Sequence, residues 1–123
     1  MKFKNFYTAL AKAYRHDLKS INRVIAMVNQ PGVNVIDEPA YFAIYHPTFD
    51  YDGRLGLFIE FAASNGCAFI DGINYFEHLA RSGDGRFVKF KTRRAGVLRA
   101  AKRLGFEVQS RHKNVFVLTK EVD

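Results

Sequence analysis

From residue 57 to residue 119 the apolar pattern alternates between strand and helix, and that order restricts the architecture more than any other property of the chain. Residues 57–62 form an apolar β-type run, after which Phe69, Ile73, Phe76, Leu79 and Ala80 recur at the three- and four-residue steps of one helical face. Ser82-Gly83-Asp84-Gly85 closes that helix. In 87–91, Val88 and Phe90 fall on one side of a strand and Lys89 and Lys91 on the other. A second helix over 94–104 gathers Val97, Leu98, Ala101 and Leu104 on one face and turns Arg99, Lys102 and Arg103 outward, and Gly105 stops it. Strands over 106–109 and 115–119 follow, joined by a polar loop over 110–114, with the last strand expected to be buried on both faces. Strands joined by a crossover helix run parallel, so at least one parallel pair must sit inside an otherwise antiparallel sheet.

The first part of the chain supplies the rest of that sheet. Phe6, Leu10, Tyr14, Leu18, Ile21, Ile25 and Val28 predict an amphipathic helix over 5–28, or two helices if Asp17 caps the second. Pro31-Gly32 ends it, because proline cannot continue the hydrogen-bond ladder and glycine tolerates the turn. Short strands over 33–36 and 41–45 follow, divided by Glu38-Pro39 and set off from the next strand by a turn-rich stretch over 46–53. The expected fold class is therefore α+β: a mixed, mostly antiparallel sheet flanked by helices. With 123 residues and no linker or repeat, the chain reads as a single domain spanning 1–123.

Charge is distributed unevenly along this order. Residues 1–25 hold six basic and one acidic side chain, 26–85 two and eight, and 86–113 ten and one. If Lys89, Lys91, Arg93, Arg94, Arg99, Lys102, Arg103, Arg111 and Lys113 converge, they form a positive surface able to bind nucleic acid, an acidic protein or a phosphate-rich cofactor. Equally, they are a solvated face that keeps the protein in solution. No helix-turn-helix, zinc-finger or RNA-recognition signature accompanies them.

Other side chains narrow the chemistry. His16, His46, His78 and His112 fall in different elements without metal-ligand spacing, so all four read as ordinary and no metal is expected. The single Cys67 excludes an intramolecular disulfide and suits a reducing, cytoplasmic setting; placed before a helix it is either a reactive thiol or an incidental one. No apolar run is long enough to span a bilayer, and no membrane association is expected. Tyr41, Tyr45, Tyr51 and Tyr75 either belong to the core or line a groove.

Three stretches carry a resemblance. Arg86-Phe-Val-Lys-Phe-Lys-Thr92, the helix Arg93-Arg-Ala-Gly-Val-Leu-Arg-Ala-Ala-Lys-Arg-Leu-Gly-Phe106 ending in Leu-Gly-Phe, and Val115-Phe-Val-Leu-Thr-Lys120 resemble the closing half of a GNAT (Gcn5-related) N-acyltransferase domain. With the preceding Tyr75-Phe-Glu-His-Leu-Ala-Arg81, the region 57–120 is similar to the short GNAT-like proteins of tailed bacteriophages.

The resemblance implies a cofactor, acetyl-CoA or another acyl-CoA, whose pyrophosphate is held by backbone N–H groups at a helix N-terminus. In this chain that place is Ser64-Asn65-Gly66-Cys67-Ala68. The family's Gln/Arg-x-x-Gly-x-Gly/Ala run is incomplete here, with Gly66 and Gly72 alone in the region, and Arg54-Leu-Gly56 supplies a fragment of it ahead of the strand. Glu60 matches the place of a catalytic base, against the plainer alternative of an exposed strand carboxylate, whereas Ala101 occupies the place of the usual acidic Tyr. Two functions follow from the resemblance: an N-acyltransferase with degenerate motifs, or a non-catalytic phage accessory or virion-associated protein that binds nucleic acid or a protein through its basic residues. The first would act in the cytoplasm, the second in the host cytoplasm or the virion.

Overall fold

The structure, a computed structural model, describes residues 17–38, 41–64 and 69–122. Helix α1 (Leu18–Val28) begins where the Asp17 carboxylate accepts hydrogen bonds from the Lys19 backbone N–H at 3.2 Å and from Ser20 Oγ at 2.8 Å, so Asp17 is the cap. Residues 5–16 of the expected helix lie outside the described residues. Strands β1 (Asn34–Glu38), β2 (Tyr41–Phe49) and β3 (Leu55–Ser64) follow, then α2 (Phe69–Ser82), β4 (Phe87–Thr92), α3 (Ala95–Arg103), β5 (Glu107–His112) and β6 (Val115–Glu121).

The six strands form one sheet in the order β1-β2-β3-β4-β6-β5. Every neighbouring pair is antiparallel except β3 and β4, which are joined by the α2 crossover and run parallel, as the alternation requires. The mixed α+β architecture is the one expected. A second crossover, α3, carries the chain from β4 past β6 to β5 at the far edge.

Helices cover both faces, and this explains why Phe42, Ala43 and Ile44 are all buried in succession on β2. On one face Ala43, Leu57, Ile59, Val88, Phe90 and Leu118 pack with Ile73, Phe76 and Ala80 of α2 and Ala101 of α3. On the other, Ile21 and Val24 of α1 pack on Phe42, Ile44 and Phe61. Val88 and Phe90 lie in the first layer, so Lys89 and Lys91 point to the face that carries α1, as their alternation predicts.

Three boundaries differ from expectation. β2 runs on through His46-Pro47-Thr48-Phe49 instead of turning there. Beyond Tyr45 it has no β1 partner, so Pro47 stands on a local edge where a missing N–H breaks no ladder. The turn itself is confined to 50–54, where Asp50 Oδ1 accepts from the N–H groups of Asp52 and Arg54, and Gly53 adopts φ 77°. The loop expected over 110–114 is mostly strand, because β5 continues to His112 and the chain reverses through Lys113, whose φ is 55°. In β6 only Leu118 is fully buried, and the other residues of the strand are partly or fully exposed.

Candidate active site

The parallel pair β3–β4 is short. Leu57, Phe58 and Ile59 lie beside Val88, Lys89 and Phe90, and pairing stops there. β3 continues to Ser64 on its β2 partner, and β4 continues to Thr92 on its β6 partner. Each strand follows its own antiparallel neighbour, so a V opens between them toward their C-terminal ends. The cause is visible in the β2–β3 register: Ile44 lies opposite Phe61 and Tyr45 opposite Ile59, which leaves Glu60 as an extra residue. A bulge of this kind bends its strand and increases the local twist, and here it turns β3 away from β4.

Glu60 is therefore the first β3 residue beyond the last β3–β4 pair, and its side chain is directed by the bulge. Its Oε1 lies 2.7 Å from His46 Nε2, with the two side chains 19% and 28% exposed. The other ring nitrogen of His46, Nδ1, is 2.9 Å from the Pro47 carbonyl oxygen. A carbonyl only accepts, so Nδ1 donates. A neutral ring would then present a bare Nε2 to a carboxylate oxygen, and the 2.7 Å separation requires one proton between them. Glu60 and His46 open onto a cleft of about 360 Å³ lined also by Met27, Gln30, Pro31, Gly32, Val33 and Pro47.

Glu60 lies in the strand expected over 57–62, as a paired and half-buried carboxylate and not an exposed one. His46 is a correction: it read as ordinary, and the structure makes it the partner of Glu60. The signal was absent from the sequence because the two residues are fourteen apart and meet only through the β2–β3 register. The cofactor loop expected at Ser64, Asn65, Gly66, Cys67 and Ala68 follows the end of β3 and leads into α2; Ser64 is the last β3 residue, and 65–68 lie outside the described residues. The Arg54-Leu-Gly56 fragment has other work. Arg54 bonds Asp50 at 2.8 Å and Glu121 at 2.6 Å and 2.9 Å, and a side chain at Gly56 would meet the Phe87 ring at 2.4 Å.

The nine basic residues do not converge on one face. Lys89 and Lys91 point to the α1 side, whereas α3, which carries the exposed Arg99, Lys102 and Arg103, packs on the opposite side. Arg93 and Arg94 sit between β4 and α3, at the same end of the sheet as the hairpin carrying Arg111 and Lys113, because Thr92 pairs with Phe116. Alternation along a strand divides what adjacency in sequence had grouped. The tyrosines diverge too: Tyr45 packs edge-on against Phe76 with ring centroids 5.6 Å apart, and Tyr51 is fully exposed at the β2–β3 turn. Burial, and next the neighbouring Tyr75, push the Tyr45 phenol above its ordinary value. Among the described residues no group of His, Cys, Asp and Glu could hold a metal, and no helix is long and apolar enough to cross a membrane.

No protein-family model matches the chain, and no curated protein matches it by sequence. Solved structures do match in fold. A GNAT-family acetyltransferase from Listeria monocytogenes superposes with a TM-score of 0.66 at 11% identity, covering 95% of this chain and 85% of that one. The NatC complex bound to Gag peptide and CoA gives 0.63 at 15% identity, covering 98% and 92%. Ard1 from Thermoplasma volcanium gives 0.62 at 12% identity, covering 98% and 93%. The chain has the fold of the GNAT acetyltransferases.

Proposed function

We propose that this GNAT-fold chain is an acyl-CoA-dependent N-acyltransferase in which Glu60 and His46 act together as the base. One observation carries the reading: the bulge just beyond the last β3–β4 pair places a carboxylate, already paired with an imidazole, on a cleft lined by the end of α1, the turn that follows it and β2.

Two features of the described residues support the cofactor. Past Ile59 and Phe90 the facing edges of β3 and β4 are not joined to each other, and an extended ligand with amide groups bonds such an edge as an added strand would. The pantetheine arm of an acyl-CoA is a ligand of this kind. Its phosphates suit the start of α2, where the helix dipole favours an anion and to which the resemblance assigns residues 64–68. Bound there, acyl-CoA supplies a reactive thioester.

An amine attacks only as its free base, so the reaction needs a group to take its proton. The Pro47 carbonyl holds Nδ1–H and Glu60 Oε1 shares the proton at Nε2, so both ring nitrogens are engaged. The second carboxylate oxygen of Glu60 accepts the proton of the amine, and His46 fixes the orientation of that carboxylate.

Calorimetric titration of acetyl-CoA, followed by transfer to a panel of amines, tests the reading. Saturable binding in the micromolar range, weakened at least about tenfold by Gly66→Asp, is expected because the new carboxylate meets the phosphates. No binding of acetyl-CoA overturns it.

Ala101 favours a second reading. It is fully buried on the inner face of α3 and puts no phenol where the resemblance implies an acid. A GNAT fold without transferase chemistry, serving as a phage-type accessory or virion-associated protein, would use its basic residues on nucleic acid or an acidic protein. The group on α3 and the β4–α3 connection, Arg93, Arg94, Arg99, Lys102 and Arg103, is the larger exposed set. Nucleic-acid affinity that falls steeply with salt, with no acetyl-CoA binding, would establish it.

A further inference from the structure

Phe58 links the two sides of the vertex. Its ring stacks on His46 with centroids 5.5 Å apart and 17° between planes, and the Lys91 ammonium lies 5.8 Å from its centroid. With Glu60 bonded to His46, the row Lys91, Phe58, His46, Glu60 crosses β4, β3 and β2 on one face of the sheet. Ile59 and Phe90 are the last parallel pair, so Glu60 and Lys91 are the first residue of each strand beyond it. The V therefore opens between a carboxylate from one strand and an ammonium from the other.

The two charges are not equivalent. Glu60 is bonded to His46, whereas Lys91 makes no ion pair among the described residues and rests its charge over an aromatic face. Lys89, two residues earlier, lies within the paired region with its ammonium 5.2 Å from the Phe87 centroid. Arg93 and Arg94 belong to the connection beyond the strand. Lys91 is thus the cation at the position where the strands part.

We infer that Lys91 holds the sulfur of the leaving group as a thiolate. The inference rests on the acyltransferase reading. As the bond between the amine nitrogen and the acyl carbon forms and the carbon–sulfur bond breaks, the bonding pair stays on sulfur and the amine proton goes to the His46–Glu60 pair. A sulfur anion is left at the vertex. The Lys91 ammonium meets it there, and the Phe58 ring keeps water from one side, which strengthens the attraction. No further reactant is required.

Other groups bear on the same space and must be separated from the sulfur. Glu60 and His46 face it from β3 and β2, Lys89 shares its strand face, and Arg93 and Arg94 follow. β6 brings Val117 and Thr119 beside Lys91 and Lys89, neither of which titrates. Lys19 and Arg23 come from α1, packed further along the same face.

The test compares CoA with desulfo-CoA, whose binding carries every titration except that of the sulfur. Affinities are measured by calorimetry from pH 7 to 9.5, a window in which an alkyl thiol ionises near about 8.5 while lysine, near about 10.4, stays charged. In the wild type, CoA affinity rises by about tenfold relative to desulfo-CoA across the window, one pKa unit of thiol shift being a tenfold preference for the thiolate. Lys91→Arg keeps the rise and Lys91→Met abolishes it. Both variants fold, because Lys91 is exposed. If CoA binds with the pH dependence of desulfo-CoA, or Lys91→Met retains the rise, the assignment of Lys91 is overturned while the acyltransferase reading stands. If neither ligand binds, both fall together.

Discussion

Glu60 Oε1 and His46 Nε2 lie 2.7 Å apart at the one point where β3 carries an extra residue. On the acyltransferase reading the backbone irregularity and the base coincide, so removing either member of the pair is expected to disable the same proton transfer. Glu60→Gln preserves size and hydrogen bonding but not the carboxylate that accepts the proton. The expected fall in kcat/KM is about 10²-fold or more, within the usual range for general-base catalysis, with acetyl-CoA affinity changed less than about twofold. His46→Gln should lose a similar amount and the double variant little more than either, as residues acting as one unit do. Steady-state thiol release and calorimetry check this, and additive losses would show two independent roles.

Gly56 and Phe87 occupy one volume. Phe87 is 2% exposed, and a Cβ at Gly56 would meet its ring at 2.4 Å. Gly56→Ala should cost about 1–3 kcal/mol by overpacking, read from the urea midpoint. Combining it with Phe87→Leu should recover part of that loss, with a coupling of at least about 0.5 kcal/mol. Equal stability of Gly56→Ala and the wild type would mean that the two strands shift freely at their paired end.

Side-chain periodicity made much of this fold legible. The strand–helix–strand order forced a parallel β3–β4 pair, the alternation of Val88 and Phe90 with Lys89 and Lys91 divided β4 correctly, and Gly105, at φ 96°, ended α3 at its expected place. Pairing decided the rest. Pro47 and the polar run over 110–112 carry turn chemistry, yet both sit in strands because their neighbours on β3 and β6 supply the register. The bulge at Glu60 is a mismatch between two strands and has no signature in either. His46 became a site residue through that mismatch, and the basic residues separated through the pleat, so composition near a site foretold less than topology.

Arg54 ties the β2–β3 turn to the end of β6. Hydrogen bonds from its guanidinium hold the Glu121 carboxyl below the usual carboxylate range. Desolvation pushes Asp50 up, but the N–H groups and charge of Arg54 outweigh it and hold that carboxyl low as well. Groups with lowered native pKa values contribute stability above their unfolded pKa, about 3.9 for Asp and 4.3 for Glu, and lose it as pH falls through the native value. The contribution should be complete at neutral pH and disappear below about pH 4. Arg54→Ala should move the acid-unfolding midpoint, followed by circular dichroism, to higher pH, and by a small amount because the Arg54 and Glu121 side chains are exposed. No displacement of the midpoint would show that solvent already screens the pairs.

Among the described residues Glu77 is the buried charge of the helical layer, with its side chain 7% exposed on α2. Lys120 of β6 reaches it at 3.0 Å and Arg81, one turn along α2, at 3.7 Å. The Lys120 stem passes 3.3 Å from where a Cβ at Gly105 would stand, so the Leu-Gly-Phe turn leaves room for the ion pair. Removing one partner leaves a carboxylate with incomplete solvation, which costs more than removing both. Lys120→Met should destabilise by about 3 kcal/mol, the lower end for a broken buried pair, since Arg81 still offsets part of the charge. Glu77→Leu with Lys120→Met should lie closer to the wild type than Lys120→Met alone, because no charge then remains to be solvated. Urea denaturation of the three proteins decides between this and a packing role. If the double variant is the least stable, the aliphatic stem of Lys120 matters more than its ammonium.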